Sequence, residues 1–425
     1  MLSRWQWLLK QLGRRLWVRV TLFSVAAVVT ALLGAVLAPF IPSWVPGRVG
    51  ADALDNILGI LATSMLAVTT FSLTTMVSAY TAASSNATPR SSRLLMDDPT
   101  TQNTLGTFIG SFLFSLVGII LASTGAYGDS GRLVLFVVTI AVIVLIVLTL
   151  LRWIDYLSTV ARVGTVTDKV EAAAAKALRD RKERPYLGGR SLRDAGAEVL
   201  ENAPALHAEE IGYVEHIDMA AIDEVAAAQG GRVFVLVLPG SFLDPSREIA
   251  RVVGITDAKQ LATIVRSFTI ADQRSFDQDP RFGFCVLAEI ASRALSPGVN
   301  DPGTAIDVIG SGVRLFAEWL AEEPSPQPPN ADGVAVRFPN VWAPPLETAD
   351  LLDDFFGPIA RDGAGLIEIQ IKLQKAFATI RVLGGAPLKV ALQRHAARAL
   401  AHAEAALVLD EDKRAVRDLA ARPTS

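Results

Sequence analysis

One cysteine, Cys285, stands in a chain of 425 residues. A single thiol forms no internal disulfide and no thiolate cage for zinc, a pattern that fits a reducing compartment. Histidine is scarce too: His207, His216, His395 and His402 stand in no recognised metal-ligand spacing. No glycine-rich phosphate loop, GxGxxG after a strand, HExxH, GxSxG or kinase signature set occurs, so enzymatic chemistry has no support from motifs. The net charge of −3 lacks the strong basic excess of a nucleic-acid binder. The most informative absence is regional. No Asp, Glu, Lys, Arg or His occurs between Val20 and Gly47, between Ile57 and Pro89, between Thr100 and Gly128, or between Leu133 and Leu151. Proton relays and ion-coupled carriers use ionisable groups inside the membrane, so these bare runs argue against a proton pump.

What fills the runs is apolar. Hydrophobic residues make up 51% of the chain and charged residues 20%, with a mean hydropathy of +0.37. Runs over Leu16–Pro39, Asn56–Tyr80, Leu105–Thr124 and Leu133–Leu151 approach the ~20 residues a helix needs to cross the hydrocarbon layer. The first is too long for a signal-peptide core and no small-residue cleavage site follows it, so a retained span is expected. Arg4, Lys10, Arg14, Arg15 and Arg19 precede the first span, Arg90 and Arg93 lie in the second loop, and Arg152, Arg162 and Lys169 follow the fourth. The other two loops hold only Arg48 and Arg132, so the positive-inside bias places both termini in the cytoplasm. Trp5, Trp7 and Trp17 then fall at the inner interface and Trp44 at the outer one.

The second run carries hydroxyls. At ~100° per residue, Thr63, Thr70, Thr74, Ser78 and Thr81 share one stripe of the helix. Small hydroxyl residues allow close helix packing; the competing reading is the lining of a polar pore. A lone four-helix bundle has a packed centre, so that pore requires an oligomer. Gly106 and Gly110 form a GxxxG step in the third run, a helix-packing pattern.

Beyond the fourth run a helical pattern continues to about Arg181, with Trp153, Tyr156, Val160, Val163, Thr167, Val170, Ala174 and Ala177 at spacings of three and four. This seam suits either packing on the protein's own cytoplasmic domain or a subunit interface. Residues 211–253 pattern as strand, helix, strand, turn, strand, with VFVLVL as a buried strand and Gly230–Gly231 closing the helix. Helices are expected over Asp257–Ile270, Pro280–Leu295 and Pro302–Ala321. VAVRF is an expected edge strand, and mostly helix is expected from Glu347 to Ala421.

RSFDQDPRFGFCVLAEIASRALSPGVNDPGTA, Arg274–Ala305, concentrates the polar signature. Asp279-Pro280 and Asp301-Pro302 are two cap-and-proline helix starts, and Ser296-Pro297-Gly298 is a stop. Glu289 and Arg293 form an i, i+4 pair. Structural ties explain much of the composition. As an alternative, Arg274, Arg281 and Arg293 with two helix N-termini would suit a small anion. Asp272, Asp277 and Asp279 would instead bind a cation or hold those arginines, and Ser296, Asn300, Asp301 and Thr304 complete the candidate ligand or interface set. Cys285 sits on an apolar helix and is expected to be an inert thiol.

That segment, together with PGSFLDP and ATPRSSRLLMDDPTTQNTLGTFIGSF (Ala87–Phe112), resembles a bacterial family of predicted membrane proteins, the domain of unknown function 2254 family. The resemblance runs along nearly the whole chain. Ala294–Ala305 is its most specific piece, with Gly303 standing where a larger residue is more usual. It implies a polytopic inner-membrane protein with a soluble C-terminal part, and no defined activity.

The expected fold is therefore membrane α-helical with four spans, plus a cytoplasmic mixed α/β and helical domain. Its expected divisions are a transmembrane domain over 1–152, a helical stalk over 153–190, an α/β and helix-turn-helix region over 191–324, a Pro-rich loop over 325–333 and a mainly helical region over 334–425. The lipid bilayer and further copies of the chain are the expected partners, with a small anion or ion as ligand, no nucleic acid and no cofactor. The leading functional expectation is an oligomeric channel or passive transport protein gated by its cytoplasmic domain. A membrane-anchored sensor or scaffold is the alternative, and a membrane enzyme has least support.

Overall fold

A computed structural model describes residues 12–13, 15–37, 51–124, 129–321 and 336–422. The expected roles of Arg4, Trp5, Trp7, Lys10, Arg14, Trp44 and Arg48, and the Pro-rich loop, lie outside the described residues. The chain divides into two compact units, one with the residues up to Val166 and the other with those from Thr167.

Four helices of the first unit are long and apolar enough to cross a membrane. They are α1 (Leu16–Leu37), α2 (Ala51–Asn86), α4 (Pro99–Ser123) and α5 (Asp129–Thr159), with the short α3 (Ser92–Met96) between the second and third. At about 1.5 Å per residue the 36 residues of α2 extend about 54 Å, well beyond the hydrocarbon thickness. Helix α4 is the hub, packed against α1, α2 and α5. Its small residues make this possible. A Cβ on Gly106 would lie 2.8 Å from the Phe23 ring, and one on Gly110 would lie 3.2 Å from the Phe23 carbonyl oxygen. The GxxxG step is thus the seat of α1, where two backbones approach closely enough for dispersion to hold them. Ser111 and Ser115 are buried and donate back to the carbonyls of Thr107 and Ser111 at 2.7 and 2.9 Å, so both hydroxyls are satisfied within their own helix. Trp153 of α5 is buried, donates from Nε1 to Ser72 Oγ at 3.0 Å, and stacks on Tyr156.

A turn at 160–162 separates α5 from α6 (Val163–Glu183). The heptad-like pattern continues through this break, yet Ser158 and Thr159 donate to the carbonyls of Asp155 and Tyr156, offering the backbone an alternative to helix. The seam residues before the break belong to the first unit, and Thr167, Val170, Ala174 and Ala177 are buried in the second.

The second unit has an α/β part and a helical part. The strands are β1 (Arg190–Ser191), β2 (Ala205–His207), β3 (Gly212–Ile217), β4 (Arg232–Val235), β5 (Phe242–Leu243), β6 (Glu248–Val253), β7 (Phe268–Ala271) and β8 (Val341–Ala343). A five-stranded mixed sheet runs β1-β8-β4-β6-β2 and a three-stranded antiparallel sheet runs β5-β3-β7. Helices α7 (Ala197–Asn202), α8 (Met219–Gln229) and α9 (Ala258–Arg266) accompany them. Gly230 closes α8 in the left-handed conformation at φ 61°, which glycine adopts at no steric cost. Strand β4 is central in its sheet and takes only the first half of the VFVLVL run, since 236–238 are not strand; Val233 and Val235 are buried. The helix expected over Asp257–Ile270 ends at Arg266 with Ser267 as its C-cap, and the last three of its expected residues lie in β7. There β3 supplies a hydrogen-bonded edge through Ile217–Phe268, and pairing overrides local propensity. The described part of VAVRF, 336–338, is not strand; its neighbours Val341–Ala343 are, inserted in parallel between β1 and β4.

The helical part comprises α10 (Pro280–Ala294), α11 (Pro302–Leu320), α12 (Thr348–Asp362), α13 (Ile367–Val382), α14 (Ala386–Ala406) and α15 (Asp410–Ala421). Phe284, Phe316, Phe355, Phe356 and Phe377 form a chain of offset and edge contacts at its centre, with centroids 4.7–6.3 Å apart. Gly312 admits the edge of Phe355, where a Cβ would overlap the ring.

Candidate functional site

The Arg274–Ala305 segment resolves into two places at opposite ends of α10. That helix has 15 residues and so separates them by about 20 Å.

The N-terminal place is buried. Asp279 caps α10, accepting from the Phe282 backbone N–H at 3.2 Å, and Pro280 occupies the first turn. Arg274 meets the same carboxylate with two parallel bonds, Nε to Oδ2 at 2.7 Å and Nη2 to Oδ1 at 3.1 Å, and lies over the Phe282 ring. Its third nitrogen, Nη1, points at Cys285 Sγ at 3.5 Å. Burial pushes the Asp279 carboxyl above its ordinary value while Arg274 pulls it back. The bidentate pair holds the Arg274 guanidinium charged against the cost of its own burial. Gly240, at φ +92°, covers the carboxylate so closely that a Cβ would overlap Oδ2. That contact explains the PGSFLDP turn. From α6, the buried Arg181 donates to the Gln278 carbonyl at 3.1 Å, and burial lowers its pKa to about 10 against the pull of Asp279. Gln278 Oε1 accepts from the Ile217 N–H at 3.2 Å, tying in β3. Asp277 donates its N–H to Ser275 Oγ at 3.3 Å. Arg281 turns the other way, to Asp354 at 2.7 and 3.1 Å and to Asp350 at 2.6 Å, joining α10 to α12. Gly240, Gln278 and Arg181 were not among the residues the sequence singled out. Gly240 had a signal in the PGSFLDP motif, whereas Arg181 is one cation in a charged run.

The C-terminal place is exposed and closes on itself. Asp301 caps α11 through the Thr304 N–H at 3.1 Å and the Thr304 hydroxyl at 2.6 Å, and these bonds hold its carboxyl below the ordinary range. Asn300 takes a left-handed φ of 51°, which its short polar side chain tolerates. Its N–H bonds to the Ser296 carbonyl, and the Asp301 N–H bonds to the Ala294 carbonyl at 2.8 Å. Ser296 Oγ donates to the Arg293 carbonyl at 2.6 Å. Arg293, Asn300 and Gly303 are exposed, and Val299 is 50% exposed. The three arginines of the anion reading are therefore not gathered: Arg274 and Arg281 face carboxylates near one end of α10, and Arg293 stands at the other. Among the described residues no group of three His, Cys, Asp or Glu side chains is placed to hold a metal.

The hydroxyl stripe of α2 forms a separate feature. Thr63, Thr70, Thr74, Ser78 and Thr81 are all exposed. The buried side of the same helix is Leu54, Leu58, Met65, Ser72, Met76, Ala79 and Ala83, which at 3.6 residues per turn lies about 180° away. The stripe thus lies on the side of α2 opposite the one buried in the unit. The Thr63, Thr70, Thr74 and Thr81 hydroxyls each donate to the carbonyl four residues earlier, at 2.9–3.0 Å. The outward residues of α5 are by contrast aliphatic, among them Val137, Ile140, Val144, Leu148 and Ile154.

Two mycobacterial proteins, uncharacterized protein Rv1290c of Mycobacterium tuberculosis and uncharacterized protein Mb1321c of Mycobacterium bovis, are each 24% identical to this chain over 268 residues, 61% of it and 50% of their own length. The chain spans about half the length of the curated relatives it matches. No solved structure matches it. The model of a family described as predicted membrane protein (DUF2254) matches residues 13–379. Most of both units falls within that match, and the chain belongs to the DUF2254 family of predicted membrane proteins.

Proposed function

We propose that this protein assembles in a bacterial inner membrane as a homo-oligomer through the hydroxyl face of α2, and that the assembly provides a passive path for small ions. One observation carries the reading: hydroxyls recur along the outward side of α2, among Leu66, Phe71 and Val77, in a stretch with no charge between Ile57 and Pro89, whereas the outward residues of α5 are aliphatic. Back-bonding makes each threonine tolerable in lipid. It also leaves hydroxyl lone pairs and peptide dipoles along one line, which a second copy or a file of water would meet. With no Asp, Glu, Lys, Arg or His in the central stretches of the spans, transport through such a path would be passive rather than proton-coupled. Arg90, Arg93, Arg152 and Arg162 favour the orientation with both ends inside, and the second unit then acts as a cytoplasmic gate or assembly platform.

The test pairs native mass spectrometry in nanodiscs with ion flux into liposomes. A closed ring, with flux that falls at least tenfold in a Thr70→Leu/Thr74→Leu variant, is expected. A monomer, or liposomes that no small ion enters, would end the reading.

A second reading, a membrane-anchored scaffold, is favoured by the self-satisfied turn at 293–304 that holds Val299 half-exposed. Val299→Asp would then abolish co-purification of a partner protein without changing the flux.

A further inference from the structure

Helices α13, α14 and α15 enclose a cleft of about 790 Å³ that plays no part in the reading above. Its floor is apolar, formed by Phe377, Leu392, Leu400 and Leu419 with several alanines. Four of its lining residues are cations, Lys375, Arg381, Arg417 and Arg422, and none is an acid. Glu404, outside the lining, pairs with Arg417. Arg381 donates from Nη2 to the Arg422 carbonyl at 3.3 Å, while its Nε is buried without a hydrogen-bond partner. An incoming anion would give the Arg381 guanidinium a charged acceptor in place of a lone backbone carbonyl.

We propose that this cleft binds a single-chain amphipathic anion, an aliphatic chain ending in a carboxylate or phosphate. The apolar floor takes the chain, and Arg381 with Lys375 takes the head. A cleft of this size suits a ligand of medium length, and with Arg417 paired to Glu404 the other three cations of the lining select the sign of its charge. A purely inorganic anion would leave the floor uncovered, and a neutral alcohol would leave the arginines unmatched.

Isothermal titration of the full chain in amphipol, with empty amphipol as the blank, tests this. The probes are octanoate, octyl phosphate, 1-octanol, octyltrimethylammonium and inorganic phosphate. Saturable binding of octanoate or octyl phosphate is expected, at least tenfold tighter than binding of the other three, and the stronger of the two identifies the head group. Arg381→Gln should weaken it about tenfold, and so should Ala378→Phe, which fills the cleft without touching charge. Arg381 has only a backbone carbonyl as partner, so its replacement strands no carboxylate; an unchanged thermal midpoint checks the fold. Equal binding by inorganic phosphate or 1-octanol, or octanoate binding unaltered in both variants, overturns the proposal, as does no saturable heat from either anion. Ion flux is not read in this experiment, so its outcome is separate from that of the channel test.

Discussion

Arg274 lies fork to fork on Asp279, with its Nε 2.7 Å and its Nη2 3.1 Å from the two carboxylate oxygens. Asp279 is almost wholly buried and also caps α10. Removing the guanidinium leaves a buried carboxylate with the weaker pull of Arg181 to offset its burial. Arg274→Ala should cost about 3–5 kcal/mol, the usual penalty for breaking a buried pair. Arg274→Met/Asp279→Asn together should cost clearly less than Arg274→Ala alone. Denaturant midpoints of the full chain provide the comparison, and a double variant as unstable as the single would show that the ionic pair is not the tie.

Gly283 on α10 faces Ala174 on α6 so closely that a Cβ would overlap the Ala174 methyl. Gly283→Val should therefore destabilise the second unit by about 1–3 kcal/mol through overpacking. Gly164→Ala, at a position with open space around it, should be neutral or stabilising. Thermal unfolding distinguishes the two.

Burial pushes the Cys285 thiol up to about 11, outweighing the pull of Arg274. At pH 8 only about one thiol in a thousand is then ionised, by the standard titration relation. The native protein should react with iodoacetamide at least tenfold more slowly than the same chain in urea. Mass spectrometry after timed quenching gives both rates, and rapid native labelling would contradict the burial.

His395 is buried between α12 and α14, with Nε2 3.3 Å from Asp353. Burial lowers its pKa, helped by Arg394 and Arg398 and opposed by Asp353. The folded state therefore binds the proton less readily than the unfolded state, whose histidine titrates near ~6.5. This contribution to stability is full above that pH and is lost as the pH falls below it. His395→Gln should flatten the fall in unfolding midpoint between about pH 6.5 and 5. An unchanged slope would assign the acid sensitivity elsewhere.

Helix starts were legible because their signals are local. Asp279-Pro280 and Asp301-Pro302 each begin a helix where the cap-and-proline pattern places it, with the aspartate accepting from the N–H three residues on. The four apolar runs are helices for the same reason, since each satisfies its own backbone. Residues 267–271 were not legible: their helical pattern gives way to a strand because β3 offers an edge more than fifty residues away in sequence. The short VWA strand was hidden likewise, since its partners are Arg190–Ser191 and Val233–Phe234.

The sequence alone determined that this chain carries four membrane-length helices, that their central stretches hold no charge, and where the capped helices of the second unit begin. Those properties depend on composition and on neighbours within a turn of helix. Only the tertiary structure decided which way polar groups face and what they meet. It turned the Thr63–Thr81 stripe away from the core. It committed Arg281 to Asp350 and Asp354, about seventy residues away. It closed Arg274 onto Asp279 beneath Gly240, and it opened a basic cleft between α13, α14 and α15. These outcomes depend on which surfaces are brought together, and a periodicity gives the face of a helix without naming its neighbour.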